Sequence, residues 1–294
     1  MSAAPALPAE FAAYNPKLLQ ALHILTREGR LNQDSRRKLK QVRHLLQFIE
    51  PLLQQELARH ANVSLVDHGA GKSYLGFLLY DSFFRQHAPA GKVVGIERRA
   101  DLVDKSRALA ADFGFSGMGF VQAEVAAVTQ AAQSGSVDAL PARIDVVTAL
   151  HACDSATDDA IDDAIDFALA HHARHIVLVP CCQAEVAAAL RQNKAQLKNH
   201  PLSAFWQHPI HTREFGSHST NVMRTLRLQA LGYQVTVTEL VGWEHSMKNE
   251  LIIASLPAQP DRAGQRRAAE QLQTMLDGLG LPELQSRFAV LPSP

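Results

Sequence analysis

The first sixty residues carry a helical pattern. From Pro16 to Arg59 the apolar positions Leu39, Val42, Leu46, Ile49 and Leu53 recur every three to four residues, which predicts an all-helical N-terminal segment. Pro51 lies inside that stripe and predicts a kink or a helix boundary. From Val63 the texture changes to short β-rich runs: Val63–Val66, Val93–Glu97, Gly119–Gln122, Ile144–Leu150, His175–Val179, Gln234–Leu240 and Glu250–Ala254. Helix-length segments separate the first five, as βαβ units require, and these runs are apolar on both faces, as strands covered by helices on both sides should be. The short connection Gly242–Asn249 makes the last two runs pair antiparallel. The expected fold is α/β: a doubly wound, mostly parallel, seven-stranded Rossmann-like sheet with helical N- and C-terminal extensions. Ser134–Pro141 is a small-residue loop, and a helix is expected from Asp261 to Leu279. The expected division is 1–60 for the helical extension, 61–256 for the sheet domain and 257–294 for the helical tail.

Composition narrows the class. Apolar residues at 47% and charged residues at 20% permit a sizeable core and exclude global disorder. Lys plus Arg and Asp plus Glu are equal at 29 each, so any nucleic-acid binding must use a local patch and not bulk charge. Such an excess exists between Thr26 and Gln47: Arg27, Arg30, Arg36, Arg37, Lys38, Lys40 and Arg43 stand against Glu28 and Asp34. A basic helix of this kind positions a phosphate backbone; the plainer alternative is a solvated amphipathic helix with its Leu face on the sheet. Three cysteines exclude a disulfide scaffold and suit a reducing, cytoplasmic setting. The start lacks a basic, then apolar, leader pattern, and no run of about 20 apolar residues predicts a membrane span.

The turn after the first strand carries the most chemistry: Val66-Asp67-His68-Gly69-Ala70-Gly71-Lys72-Ser73-Tyr74-Leu75. A phosphate-wrapping P-loop needs a glycine where Val66 stands, so Gly71-Lys72-Ser73 is only half of that motif. A dinucleotide turn needs a third glycine where Tyr74 stands, and Asp67 repels phosphate. S-adenosylmethionine fits better, because its ammonium and sulfonium favour an acid at this strand end. Asp67 is then the ammonium partner, and Gly69 and Gly71 admit the backbone to close approach. Glu97, at the end of the second strand, is the acceptor for the ribose hydroxyls, and Glu124, after the third, meets the adenine edge.

Beyond the fourth strand the chain reads His151-Ala152-Cys153-Asp154, then a run of acids of which Asp154 and Asp158 are active-site candidates. Those from Asp159 to Asp166 read as a solvated helix face. Beyond the fifth stands Pro180-Cys181-Cys182. These cysteines admit three readings: buried structural thiols, a thiolate nucleophile toward a pyrimidine, or metal ligands together with Cys153 and His151. No common zinc spacing is present, and no metal is expected.

With these residues in view, the chain resembles one branch of the class I SAM-dependent methyltransferases. The resemblance rests on Asp67-x-Gly69-x-Gly71-Lys72-x-Tyr74-Leu75, Leu150-His151-Ala152-Cys153-Asp154 and Pro180-Cys181-Cys182, over roughly Lys38 to Ala254. That branch includes acceptor-stem tRNA methyltransferases and the methyltransferase-like domain of a glutathione-transferase-C-terminal-domain protein. It implies S-adenosyl-L-methionine as cofactor, contacted also by Tyr74, Leu150 and His151, and methyl transfer to RNA, with tRNA suggested. Asp154 stands where the branch usually has Gly, and Gln183-Ala184 where the tRNA enzymes carry His. His151 or Asp154 would serve as base, Lys72 would orient the acceptor, and Cys181 or Cys182 offers the rival covalent route. Small-molecule or protein methylation and a non-catalytic RNA-binding scaffold are the alternatives. The expected RNA contact is Arg36, Arg37, Lys38, Lys40 and Arg43. Two further polar stretches invite attention. His211–Thr220, beside Arg213, Arg224 and Arg227, reads as a loop over the site, and Trp243–Asn249 is either a base-stacking element or a hairpin tip.

Overall fold

The computed structural model describes residues 11, 14–123, 140–150, 159–180, 184–240 and 250–290. Helices α1 (Pro16–Ala21) and α2 (Gln33–Leu57) precede the sheet, each opened by an Asn side chain: Asn15 accepts from the Lys17 N–H and Asn32 from the Ser35 N–H. Strand β1 (Ser64–His68) leads into α3 (Tyr74–Leu79), a single π-turn (Tyr80–Phe84) and a last turn α4 (Arg85–His87). Then come β2 (Lys92–Glu97), α5 (Ala100–Asp112), β3 (Met118–Gln122), β4 (Val146–Leu150), α6 (Asp159–Ala170) and β5 (His175–Val179). Helices α7 (Glu185–Gln192) and α8 (Pro209–Ala230), strands β6 (Gln234–Glu239) and β7 (Glu250–Ser255), and α9 (Arg262–Leu279) complete the order.

The seven strands form one sheet in the order β3-β2-β1-β4-β5-β7-β6. The first five are parallel, and β7 runs antiparallel to both β5 and β6. The sequence-based fold class, strand positions and antiparallel final pair all match this sheet. One core forms on the face that bears Leu65, Val93, Val146 and Val177, against the apolar stripe of α2 and the Phe-rich α3 run. The second forms on the opposite face around Val66, Val147, Ile176 and Phe167 of α6. A third lies outside the sheet, where α7, α8 and α9 meet at Trp206, Met223 and Leu276.

Three expectations change. The helix α2 runs through Pro51 without a boundary, its apolar stripe outweighing one lost backbone bond. His211–Thr220 is helical, as part of α8. Its buried face is built from Thr212, Gly216, Ser219 and Thr220, small polar residues that hydropathy does not mark. The acids of α6 are not all solvated either. Asp162 is buried and held in a double ion pair by the fully buried Arg224, at 2.9 and 2.8 Å.

The position of α2 matters for the site. Near its C-terminus the buried Glu56 meets the His175 ring at 3.2 Å, at the first residue of β5 and hence at the amino edge of the sheet. One turn and a half earlier, Glu50 accepts from the Ser82 hydroxyl at 3.3 Å. The helix therefore runs from the carboxyl edge toward the amino edge. At about 1.5 Å per residue, Arg43 stands roughly 20 Å and Arg36 roughly 30 Å from Glu56. Arg43 and Glu50 both act on Tyr14, whose neighbour Asn15 donates from its N–H to Asp81 Oδ2 at 3.1 Å, so this stretch of α2 lies along the π-turn that follows α3.

Candidate active site

In an open α/β sheet, ligands bind outside the carboxyl ends of the strands, where the strand order reverses. Here that point lies between β1 and β4, whose ends are Asp67-His68 and Ala149-Leu150. The turn leaving β1 has three left-handed residues: Gly69 (φ 64°), Gly71 (φ 57°) and Ser73 (φ 54°). Glycine takes this conformation freely; Ser73 is held in it just before α3. The turn is pinned sideways onto β2. The Ala70 N–H donates to the Ile96 carbonyl at 3.0 Å, and the Gly71 N–H donates to Glu97 Oε2 at 2.8 Å.

Glu97 is thus central to the turn. Its other oxygen, Oε1, accepts from the Arg99 N–H at 3.0 Å and from Arg99 Nε at 3.4 Å. A carboxylate offers about four lone-pair directions, and with three taken one is left for a ribose hydroxyl. Asp67 is buried on the α2–α3 side of the sheet and accepts from the Thr148 hydroxyl at 2.5 Å. Burial, reinforced by the Glu97 charge, pushes its carboxyl up to about 7, although the Thr148 hydrogen bond pulls the other way. Among the described residues, none of the groups that shift Asp67 is a cation. A buried carboxylate beside a second one is the environment that a ligand ammonium would relieve. Asp67 and the strand-end turn thus have the chemistry that the aminoacyl end of an S-adenosylmethionine requires.

Thr148 and Arg99 were missed by reasoning from sequence. Thr148 is the only polar residue in the run Val146–Leu150, and pairing β1 with β4 in register sets it opposite Asp67. That signal was available once the strand order was drawn. His68 points to the other face, against Phe167 at 4.4 Å between ring centroids. Both its ring nitrogens are buried without a hydrogen-bond partner, and burial pushes its pKa down to about 3.

The structure brings Asp67, Gly69, Gly71, Glu97 and Leu150 to one edge, with Lys72 exposed and Tyr74 half-buried beside them. Glu124, His151, Asp154, Cys181 and Cys182 lie outside the described residues, as do Cys153, Asp158 and Trp243–Asn249. Among the described residues no group of three or more His, Cys, Asp or Glu is arranged to hold a metal. Among them, too, no helix is long and apolar enough to cross a membrane. Of the basic residues expected to meet RNA, Arg36, Arg37 and Lys40 are exposed and Arg43 is half-buried; the side chain of Lys38 lies outside those described.

A family model for a methyltransferase domain matches residues 37–189, more than half of the chain and all of the strands β1 to β5. The chain belongs to this methyltransferase family. It is an enzyme of methyl transfer, and the match begins inside α2, at the basic stretch. No curated protein matches the sequence significantly. Similar solved structures include an O-methyltransferase from Bacillus cereus in complex with SAH, 12% identical, covering 83% of this chain and 92% of that one, with a TM-score of 0.48. The SAH-bound methyltransferase PaMTH1 of Podospora anserina is 11% identical, covering 87% and 91%, with a TM-score of 0.44. The fibrillarin of Aeropyrum pernix, with bound S-adenosyl-L-methionine, is 12% identical, covering 66% of each chain, with a TM-score of 0.38.

Proposed function

We propose that this methyltransferase uses S-adenosyl-L-methionine to methylate RNA, with tRNA as the substrate class its sequence motifs favour. The observation that carries the RNA reading is the basic stretch of α2, on which Arg36, Arg37 and Lys40 are exposed. Phosphate contacts of this kind set the orientation of a substrate strand without reading its bases. S-adenosyl-L-methionine supplies an electrophilic methyl group on a sulfonium. The chain does the rest by positioning. Asp67 receives the ammonium, Glu97 a ribose hydroxyl, and Gly69 and Gly71 give room for approach. Glu124 is assigned to the adenine edge, and Tyr74 and Leu150 to the cofactor's flank. On the acceptor side, His151 or Asp154 takes the acceptor proton, and Lys72 orients the acceptor. Cys181 and Cys182 are assigned to the rival route, in which a thiolate adds to a pyrimidine.

The test is methyl-labelled cofactor with fractionated cellular RNA. Label should enter an RNA fraction, disappear with Asp67→Ala, and fall with a paired reversal, Arg36→Glu with Lys40→Glu. Label that enters only protein or small molecules would overturn the RNA reading. So would cofactor binding without turnover on any fraction, which would leave a binding scaffold. Retained activity in Cys181→Ser and Cys182→Ser excludes the covalent route.

A further inference from the structure

We propose that the crest formed by the segment 190–215 is a stacking platform for single-stranded RNA, a second contact for the substrate of the site above; the inference rests on that RNA reading. This segment lies outside the span matched by the family model.

Its height follows from one hydrogen bond. Asn221 Nδ2 donates to Glu250 Oε2 at 2.7 Å, and Glu250 is the first residue of β7. Because β7 is antiparallel to β5, with Leu178 opposite Ile252, Glu250 is level with the carboxyl end of β5. The α8 residues before Asn221 therefore stand above the edge where the cofactor turn lies, by about 18 Å at Pro209. The C-terminal end of α8 is tied low, through the Tyr233 hydroxyl to the Ala173 carbonyl at 2.7 Å. Leu228 places α8 on the sheet face opposite to α2. The crest thus rises past this edge on the face opposite to α2.

The crest exposes large apolar side chains. Phe205 is 50% exposed, Ile210 56% and Leu202 41%. Phe205 is stacked on Phe215, with ring centroids 5.2 Å apart and planes 28° apart, and Phe215 lies against the buried Trp206 at 5.8 Å. The base is rigid: His200 Nε2 meets the Gly278 carbonyl at 2.6 Å, and the Thr212 hydroxyl donates to the His208 carbonyl at 3.0 Å. An aromatic ring fixed from below and open above is what an unpaired base stacks on.

The charge around it selects the occupant. Residues 190–215 hold Arg191, Lys194, Lys198 and Arg213 with three histidines, against Glu214 alone, which pairs with Arg213 at 2.9 Å. Glu283 also reaches the segment, at Asn193, so Arg191, Lys194 and Lys198 leave an excess of cations suited to a phosphate backbone and poorly suited to a basic protein partner.

The experiment is fluorescence anisotropy of a labelled, mixed-sequence single-stranded RNA of about 20 nucleotides with the full chain, long enough for more than one contact. Phe205→Ala and Phe205→Leu should each weaken binding at least about fivefold, whereas Phe205→Trp should hold it. Calorimetric S-adenosyl-L-methionine binding should be unchanged in all three. Phe205→Leu binding as well as the parent would overturn the stacking platform, since it keeps the apolar surface and removes the π-face. Equal affinity for a duplex of the same sequence would overturn it also, and so would a self-association that Phe205→Ala abolishes in sedimentation. If the parent chain binds S-adenosyl-L-methionine but no RNA, the RNA reading itself fails and the platform with it. If it binds RNA and the Phe205 variants do not differ, only the platform fails.

Discussion

At Asp67 the site's electrostatics become a measurable proton count. Burial, with the Glu97 charge beside it, holds its carboxyl near 7, against an ordinary value of 3.8. A raised acid favours the folded chain when protonated, so stability without cofactor declines as pH rises from about 4 through 7. A ligand ammonium reverses the preference and demands the carboxylate. Cofactor binding at pH 6 should therefore release close to one proton, and affinity should rise toward pH 8. Calorimetry in two buffers of different ionisation enthalpy reads the release directly. Asp67→Asn should abolish it; an undiminished release in that variant would assign the proton elsewhere. His68 behaves in the opposite sense. Its pKa is held near 3 by burial, with His171 adding to the shift, so the folded chain resists protonation. Stability is complete above the ordinary histidine value and is lost as pH falls through the acid range. His68→Leu removes two unpartnered nitrogens and keeps the contact with Phe167. The gap between its melting temperatures at pH 7.5 and pH 4.5 should be smaller than that of the parent chain.

Helices and strands show what hydropathy can and cannot mark. His175–Val179 was legible to the residue, because four apolar positions in a row, with Arg174-His175 before them and Pro180 after, have few alternatives to a covered strand. The positions of the glycine turn, Asp67 and Glu97 at the strand ends were legible too, because the strands before them were. The helix α8 was not legible at its N-terminal half. Its packing is by shape and ion pair, through Gly216 against Ala187 and Arg224 into Asp162, so its apolar period starts only near Met223. Both contacts predict strong effects. A Cβ on Gly216 would lie 2.4 Å from the Ala187 backbone nitrogen, so Gly216→Ala must push α7 from α8. A loss of about 1–3 kcal/mol in denaturant unfolding is expected. Asp162 also meets Arg287, at 3.0 Å, so Arg224→Met would leave it one cation in place of two and cost less than the roughly 3–5 kcal/mol of an uncompensated buried charge. Arg224→Met combined with Asp162→Leu should cost less than the single change, because Arg287 still has Glu185 at 2.8 Å. A double variant less stable than Arg224→Met alone would show that the remaining Asp162–Arg287 pair outweighs the lost cation.

The whole molecule is neutral, so what it offers to a polyanion depends on how the fold distributes charge and not on its sum. The sheet sets the pattern. Arg36, Arg37 and Lys40 lie exposed on α2, which covers one face, while Asn221–Glu250 sends the crest of α8 beyond the carboxyl edge on the other. Asp67 and Glu97, the acids assigned to the cofactor, sit at the strand ends. An RNA single strand held by the proposed cations would release counterions in proportion to the phosphates neutralised. Replacing Arg36 and Lys40 by Gln should thus weaken RNA binding at every sequence tested. It should also lower the slope of log affinity against log salt by roughly 0.7 per lost contact on single strands. S-adenosyl-L-methionine affinity should not move, because both side chains are exposed on α2 and neither is assigned to the cofactor. An unchanged salt slope with reduced turnover would place these cations in the packing of α2 and not on the substrate.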